Sequence, residues 1–302
     1  MKPDVNLVHA DCLEFLRSLP ESSVDLVLTD PPYFRVVDQS WDKQWRGEPE
    51  FLDWLELVVI EYARVLKPTG GLYLFCNPYL AAKVEVMIGR HLGVLNHIIW
   101  RKNAGRWSGC RKESLRKYFP QTERIVFAES KKKCGFAQEP VYQYLRSALD
   151  RSGMTQKQVN DRLGNQMSGH WFGRSQFSLP SSDNYRSLQL VLPGLDMPYE
   201  ELHSWFSGIR STKERRVFGV TKDVPFTDVW DFGVVRARSG KHACEKPADL
   251  IEHMIMASSN PGDLVLDSFT GSGAVLKACV KLGRSFTGCE LDQHWFDHLK
   301  NI

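Results

Sequence analysis

Val24-Asp25-Leu26-Val27-Leu28-Thr29 runs straight into Asp30-Pro31-Pro32-Tyr33, an apolar run of strand length that ends in an acid, two prolines and an aromatic. Leu264-Val265-Leu266-Asp267 has the same form and leads into Ser268-Phe269-Thr270-Gly271-Ser272-Gly273. Short apolar runs of this kind suit strands buried on both faces, and open α/β sheets build their sites in the loops beyond the carboxyl ends of such strands. Asn6 to His9, Gly71 to Phe75, Ile98 to Trp100, Arg124 to Phe127 and Ser285 to Gly288 are further runs of the same class. Helical spacings of three and four lie between most of them: Cys12, Phe15, Leu16 and Leu19; Trp54 through Leu66; Ala274 to Leu282; Trp295 to Leu299. Strands alternating with helices predict a doubly wound, mostly parallel α/β sheet covered on both faces.

That alternation fails from about Glu139 to Arg216, where helical patterns appear without a convincing buried strand. The expected organisation is therefore one α/β domain made of residues 1–138 and 217–302, interrupted by an inserted, mainly helical subdomain at 139–216. Apolar residues make up 42% and charged residues 25% of the 302 positions, ordinary values for a globular protein. The 39 Lys plus Arg against 36 Asp plus Glu give a net charge of +3, too small to mark nucleic-acid binding by itself, so any basic surface must be local. The start Met-Lys-Pro-Asp-Val lacks the apolar core of a signal peptide, which makes a cytoplasmic location the expectation. Seven cysteines are scattered without a Cys-x-x-Cys pair, a pattern of reduced thiols with no metal site expected.

The two loop sequences together resemble the signature pair of the amino-group DNA methyltransferases, which move a methyl from S-adenosylmethionine to an exocyclic base nitrogen. Asp30 to Tyr33 precedes the glycine loop by more than two hundred residues, an order that resembles the permuted beta class of that family. The resemblance covers nearly the whole chain outside the insert and implies a Rossmann-like methyltransferase sheet. It implies catalytic roles for Asp30, Pro31, Pro32 and Tyr33. An exocyclic amine is a poor nucleophile because its lone pair is delocalised into the ring. Asp30 and the Pro31 carbonyl, both acceptors, would localise that pair, the prolines would fix the carbonyl, and Tyr33 would stack on a base flipped from the duplex. Taken alone, the tetrapeptide is equally a Pro-Pro turn with a capping Asp.

For the cofactor, the resemblance assigns S-adenosylmethionine to Asp11, Lys246, Asp267, Phe269, Gly271, Ser272, Gly273 and Glu290. Gly271 and Gly273 suit a close backbone approach to a ligand, and Glu290, about 17 residues beyond Gly273, suits the ribose hydroxyls. Glu290 is also readable as a helix-capping acid. Pro247, after Glu245 and Lys246, suits the first turn of a helix running to about Ser258. Two positions depart from the family pattern: Ser268 stands where Pro is usual, and Phe34 where Asn or Gly is frequent. Asp30 resembles the adenine-N6 enzymes more than the cytosine-N4 enzymes, which often carry Ser there.

Duplex DNA is the partner this implies, and two regions suit it. Arg101, Lys102, Arg106, Arg111, Lys112, Arg116, Lys117, Arg124 and Lys131 to Lys133 are interleaved with Trp107, Tyr118 and Phe119, a mixture suited to phosphates and an unstacked base. In the insert, Val141 to Leu149 reads as one helix. Thr155, with Gln158 as capping-box partner, opens a second that ends near Gly164, and Gln166 to Phe172 makes a third. This order resembles a helix-turn-helix, with Gln166, Ser168, His170 and Arg174 near the reading surface. Three rivals stand beside adenine-N6 methylation: cytosine-N4 methylation, a protein-glutamine methyltransferase with its glycine loop first, and a non-catalytic helix-turn-helix protein. Monomer and homodimer are both compatible with the sequence.

Overall fold

The computed structural model describes residues 3–34, 42–102, 116, 118, 121–132, 139–174, 176–213, 227–235 and 245–300. In chain order its elements are β1 (Val5–His9), α1 (Cys12–Ser18), β2 (Val24–Thr29), α2 (Glu48–Val65), β3 (Leu66–Cys76), α3 (Ala81–His91), β4 (Leu92–Lys102) and β5 (Thr122–Ser130). Five helices follow: α4 (Glu139–Ser152), α5 (Gln156–Leu163), α6 (Ser168–Phe172), α7 (Ser182–Val191) and α8 (Tyr199–Lys213). The chain then returns through β6 (Val229–Phe232), α9 (Ala248–Ser258), β7 (Leu264–Asp267), α10 (Ala274–Leu282), β8 (Ser285–Glu290) and α11 (Gln293–Leu299). Two compact units result, Met1–Lys132 with Arg216–Ile302, and Lys133–Arg215.

The first unit holds one eight-stranded sheet in the order β1-β8-β7-β2-β3-β5-β4-β6. All of its pairings are parallel except those of β5, which runs antiparallel to both β3 and β4. Period-two alternation splits the strands between two cores. Leu72 and Leu74 join Leu55, Val58, Tyr62 and Ile88 on one face, while Tyr73 and Phe75 join Leu250, Met254, Ile255 and Leu276 on the other. Burial on both faces is why these strands read as nearly continuous apolar runs.

Helix α3 and strand β6 add to what the sequence indicated. β6 spans only four residues, too few for an alternation to stand out, yet it places Trp230 in the core at 5% exposure. Pro247 occupies the cap position ahead of α9 rather than its first turn. The second unit packs α4 to α8 around its own core of Val141, Leu145, Leu149, Val159, Trp171, Phe172, Tyr185 and Leu188. At the start of α5 the Thr155 hydroxyl accepts from Gln158 N at 3.2 Å, and Gln158 Oε1 accepts from Thr155 N at 2.8 Å. Gly164, at φ 66°, ends that helix in the left-handed region, where a residue without Cβ is least strained. Among the described residues no helix is long and apolar enough to cross a membrane, no metal-binding group occurs, and Cys12, Cys76, Cys279 and Cys289 are free thiols.

Candidate active site

β2 and β7 are neighbours in parallel register, Leu26 beside Val265 and Val27 beside Leu266, so the two loop motifs leave the sheet side by side although 238 residues separate Thr29 from Asp267. The Thr29 hydroxyl donates to Asp267 Oδ1 at 3.1 Å and ties the strand ends together. Next to them β8 carries Gly288, where an added Cβ would lie 2.4 Å from Asp267 O; only glycine lets β8 run this close. A cavity of about 650 Å³ opens over these strand ends. Asp11, Asp30 to Tyr33, Lys246, Asp267 to Ser272 and Glu290 all line it, with Trp54, Phe75, Trp100 and Trp295 as aromatic walls. Its volume is that of a pocket for a cofactor-sized ligand.

The glycine-loop side is built from acceptors. Asp267, 3% exposed, also accepts from Phe269 N at 3.0 Å. Burial pushes its pKa up to about 7 against those two hydrogen bonds, and the charges of Asp30 and Glu290 add to the rise. Glu290 Oε2 accepts from Gly271 N at 2.7 Å and Oε1 from Asp292 N at 2.8 Å. Asp11 caps α1 through Leu13 N at 2.8 Å. Gly273 stands apart from the cavity lining: at φ 75° it is the left-handed cap that turns the chain into α10. Both departures from the family pattern have a local reason. The Ser268 hydroxyl lies 2.5 Å from the buried Tyr62 hydroxyl, a partner that Pro lacks. Phe34 adopts φ 62°, a strained value for a bulky residue, while its ring stacks on Phe51 at 5.5 Å.

The Asp30 side is built from charges. Lys246 Nζ donates to Asp30 Oδ2, so the structure places this lysine on the tetrapeptide's carboxylate. Glu123 of β5, which the sequence reading missed, accepts from Lys102 on Oε1 and from the Tyr33 hydroxyl on Oε2 at 3.1 Å. Burial raises the pKa of Asp30 despite Lys246. In Glu123 burial acts the same way, but Lys246 and Lys102 outweigh it and hold the carboxyl below the usual range. The Tyr33 phenol is pushed well up by burial and by the charges of Asp30 and Glu123, so it stays a neutral donor. Glu123 opens the apolar run Arg124 to Phe127; an acid at the head of a buried strand was the signal available.

Among the described residues of the basic stretch, several cationic heads have partners within the chain. Lys102 lines the cavity on Glu123, and Arg101 forms a two-pronged pair with Asp231 at 2.5 and 2.6 Å. Lys132 Nζ donates to the Arg64 and Leu66 carbonyls at 2.6 and 3.0 Å, and Lys131 Nζ to the Gly89 carbonyl at 2.5 Å. Both ammonium groups thus sit on carbonyls at or next to helix C-termini, where a cation is favoured by the helix dipole. Arg106, Arg111 and Lys112 lie outside the described residues. In the helical unit Gln166 and Arg174 are exposed and His170 is half-buried, with its ring Nδ1 3.4 Å from the Gln176 carbonyl.

A profile of the family described as DNA methylase matches residues 24–301. DNA adenine methyltransferase YhdJ of Escherichia coli K12 is 25% identical over 295 residues, covering 96% of this chain and 79% of that protein. Type II methyltransferase M1.MboII of Moraxella bovis is 26% identical over 302 residues, covering 97% and 94%. Among solved structures, the M1.HpyAVI–SAM complex superposes with a TM-score of 0.55 at 20% identity over 98% of each chain. The cytosine-N4-specific PvuII DNA methyltransferase gives 0.55 at 15% identity over 98% of this chain and 86% of that one. At such identity these two structures establish the α/β methyltransferase fold. The chain therefore belongs to the N6 and N4 DNA methylase family, the DNA methyltransferases that draw their methyl group from S-adenosylmethionine.

Proposed function

We propose that the protein methylates the N6 amine of adenine at specific sites in duplex DNA, acting on a base flipped out of the helix. The observation that carries this reading is the Asp30 carboxylate, with Pro31 and Tyr33 beside it, in the same cavity as the Asp267 to Ser272 loop. S-adenosylmethionine supplies an electrophilic methyl on a sulfonium. Asp11, Asp267, Phe269, Gly271, Ser272 and Glu290 would hold it, and the donor set fits: each Glu290 oxygen accepts one backbone N–H and keeps a lone pair for a ribose hydroxyl. Asp30 and the Pro31 carbonyl accept the two amine hydrogens and localise the lone pair, and Tyr33 covers the base. The alkylated nitrogen must shed a proton, and Asp30, whose affinity for one is raised by burial, is placed to take it.

The helical unit is the proposed target-recognition module, reading base edges through Gln166 ahead of α6, His170 within it and Arg174 after it. The test is nucleoside analysis of duplex DNA incubated with enzyme and S-adenosylmethionine. N6-methyladenine at a defined sequence is expected. N4-methylcytosine would move the protein to the other branch of its family, and unmodified DNA would overturn the reading.

A further inference from the structure

Asp30, Lys246 and Glu123 form a negative, positive, negative series contributed by three segments far apart in sequence. Lys246 donates to Asp30 Oδ2 and lies 3.7 Å from Glu123 Oε2, and its side chain is only 8% exposed. The ammonium also faces the rings of Tyr33 and Phe75 at 5.3 and 5.0 Å. Of the two Asp30 oxygens, Oδ1 is shut off from solvent and has no hydrogen-bond partner among the described residues. An incoming donor therefore reaches Oδ2, the oxygen that Lys246 holds.

An amine that takes Oδ2 must displace the ammonium, and a charge displaced from a mostly buried pair is costly unless another anion receives it at once. Glu123 is that anion: a shift of about 1 Å converts the 3.7 Å approach into a hydrogen bond. Resting on the adenine-methylation reading above, we propose that Glu123 is a positioning residue for methyl transfer, which receives the Lys246 ammonium when the target amine engages Asp30. The carboxyls are poised for the exchange. Burial weakens Asp30 as an anion, whereas in Glu123 the opposing burial effect is outweighed by Lys246 and Lys102. Lys102 on Oε1 and the Tyr33 hydroxyl on Oε2 fix the Glu123 carboxylate toward the exchange.

The test measures single-turnover methylation at saturating S-adenosylmethionine, with cofactor affinity followed by calorimetry. Glu123→Gln removes the receiving charge and keeps the shape, so its rate falls roughly tenfold or more while cofactor Kd stays within about threefold. Adding Lys246→Met removes the ammonium that blocks Asp30, so the double variant is faster than Glu123→Gln alone. A merely structural Glu123 predicts the reverse, a double variant as slow as the two losses combined, and that result or a wild-type rate in Glu123→Gln overturns the proposal. Should Glu123→Gln fail to fold, Glu123→Asp decides. A rate loss that disappears in the Lys246→Met background supports the exchange, and an equal loss in both backgrounds overturns it. Wild-type product is established first, because its absence sinks the adenine reading and this proposal together, whereas the other adverse results sink this proposal alone.

Discussion

At one end of the cavity, Asp30 and Glu123 share the ammonium groups of Lys246 and Lys102. At the other, Asp11, Asp267 and Glu290 have only backbone N–H and hydroxyl partners, with no cation in salt-bridge range among the described residues. The difference separates two tasks. Carboxylates held by neutral donors keep spare lone pairs and an unbalanced negative potential, which suits a ligand that offers hydroxyl donors and a sulfonium charge. Carboxylates held by ammonium groups are already balanced, so a new donor can enter only by exchange. On the proposed reading, the loop end binds the cofactor and the Asp30 end changes partners.

The largest effect expected is on the end that changes partners. On the proposed reading Asp30→Ala removes the acceptor of the amine hydrogen, so turnover should fall by about a thousandfold or more while cofactor affinity stays within roughly threefold. Asp30→Asn should be nearly as poor, because an amide is the weaker acceptor. Methylation assays beside calorimetry separate the two quantities, and substantial turnover in Asp30→Ala would break the division of labour drawn above.

Asp267 tests the binding end through pH. Its carboxyl is raised from the ordinary 3.8 to about 7, so the folded protein binds a proton that the unfolded chain has released. The sign follows: the contribution is fully present below about pH 4 and is lost as pH rises toward 7, by up to a few kcal/mol for a group this buried. Asp267→Asn, which cannot ionise, should flatten that part of the stability curve in chemical denaturation between pH 4.5 and 7.5, ranges set by the same linkage. Parallel curves for the two proteins would show that Asp267 does not carry the effect.

Much of the loop end, and of the separate helical unit, was legible in the sequence because its information is local. Leu264 to Asp267 announces a buried strand by composition, Gly271 and Gly273 announce a turn by their freedom at positive φ, and Thr155 with Gln158 announces a helix start by three-residue spacing. What stayed hidden depends on partners far along the chain. The antiparallel course of β5 is set by pairing with β3 and β4, which no residue within β5 encodes. Lys102 and Lys132 look like any basic residues of a nucleic-acid surface; the acceptors they have within the chain, Glu123 and the Arg64 and Leu66 carbonyls, lie 21, 68 and 66 residues away. Composition can count charges, but it cannot say which ones are already spoken for.

Glu290 sharpens the comparison at intermediate size. Glu290→Gln keeps the shape but loses the negative charge and one acceptor, which should weaken cofactor binding by about 1.5–3 kcal/mol, roughly ten- to a hundredfold. Turnover at saturating cofactor should change much less than in Asp30→Ala. A turnover loss as deep as the alanine variant's, with unchanged affinity, would mean that the two ends do not divide binding from catalysis. In the helical unit, Gln166→Ala or Arg174→Ala should cost about 1–3 kcal/mol on the preferred sequence and relax discrimination between sequences. An unchanged site preference in methylation-site sequencing would reduce that unit to a packing module.

The smallest effect concerns the lysines that the sequence offered as phosphate contacts. Lys132 donates to Ser22 Oγ at 2.7 Å as well as to the Arg64 and Leu66 carbonyls at the α2–β3 junction, and it lies 3.4 Å from Glu21 Oε1, so its ammonium has little left for a phosphate. Lys132→Met keeps most of the stem's packing and removes only the head, so it should lower stability by about 1 kcal/mol, the usual worth of a cation at a helix C-terminus. DNA affinity and its dependence on salt should be unchanged, because no counterion is released through this residue. Thermal melts and binding at several ionic strengths decide the matter together. A flatter salt dependence in Lys132→Met, with stability unaltered, would return this lysine to the DNA surface and leave the end of α2 without its cap.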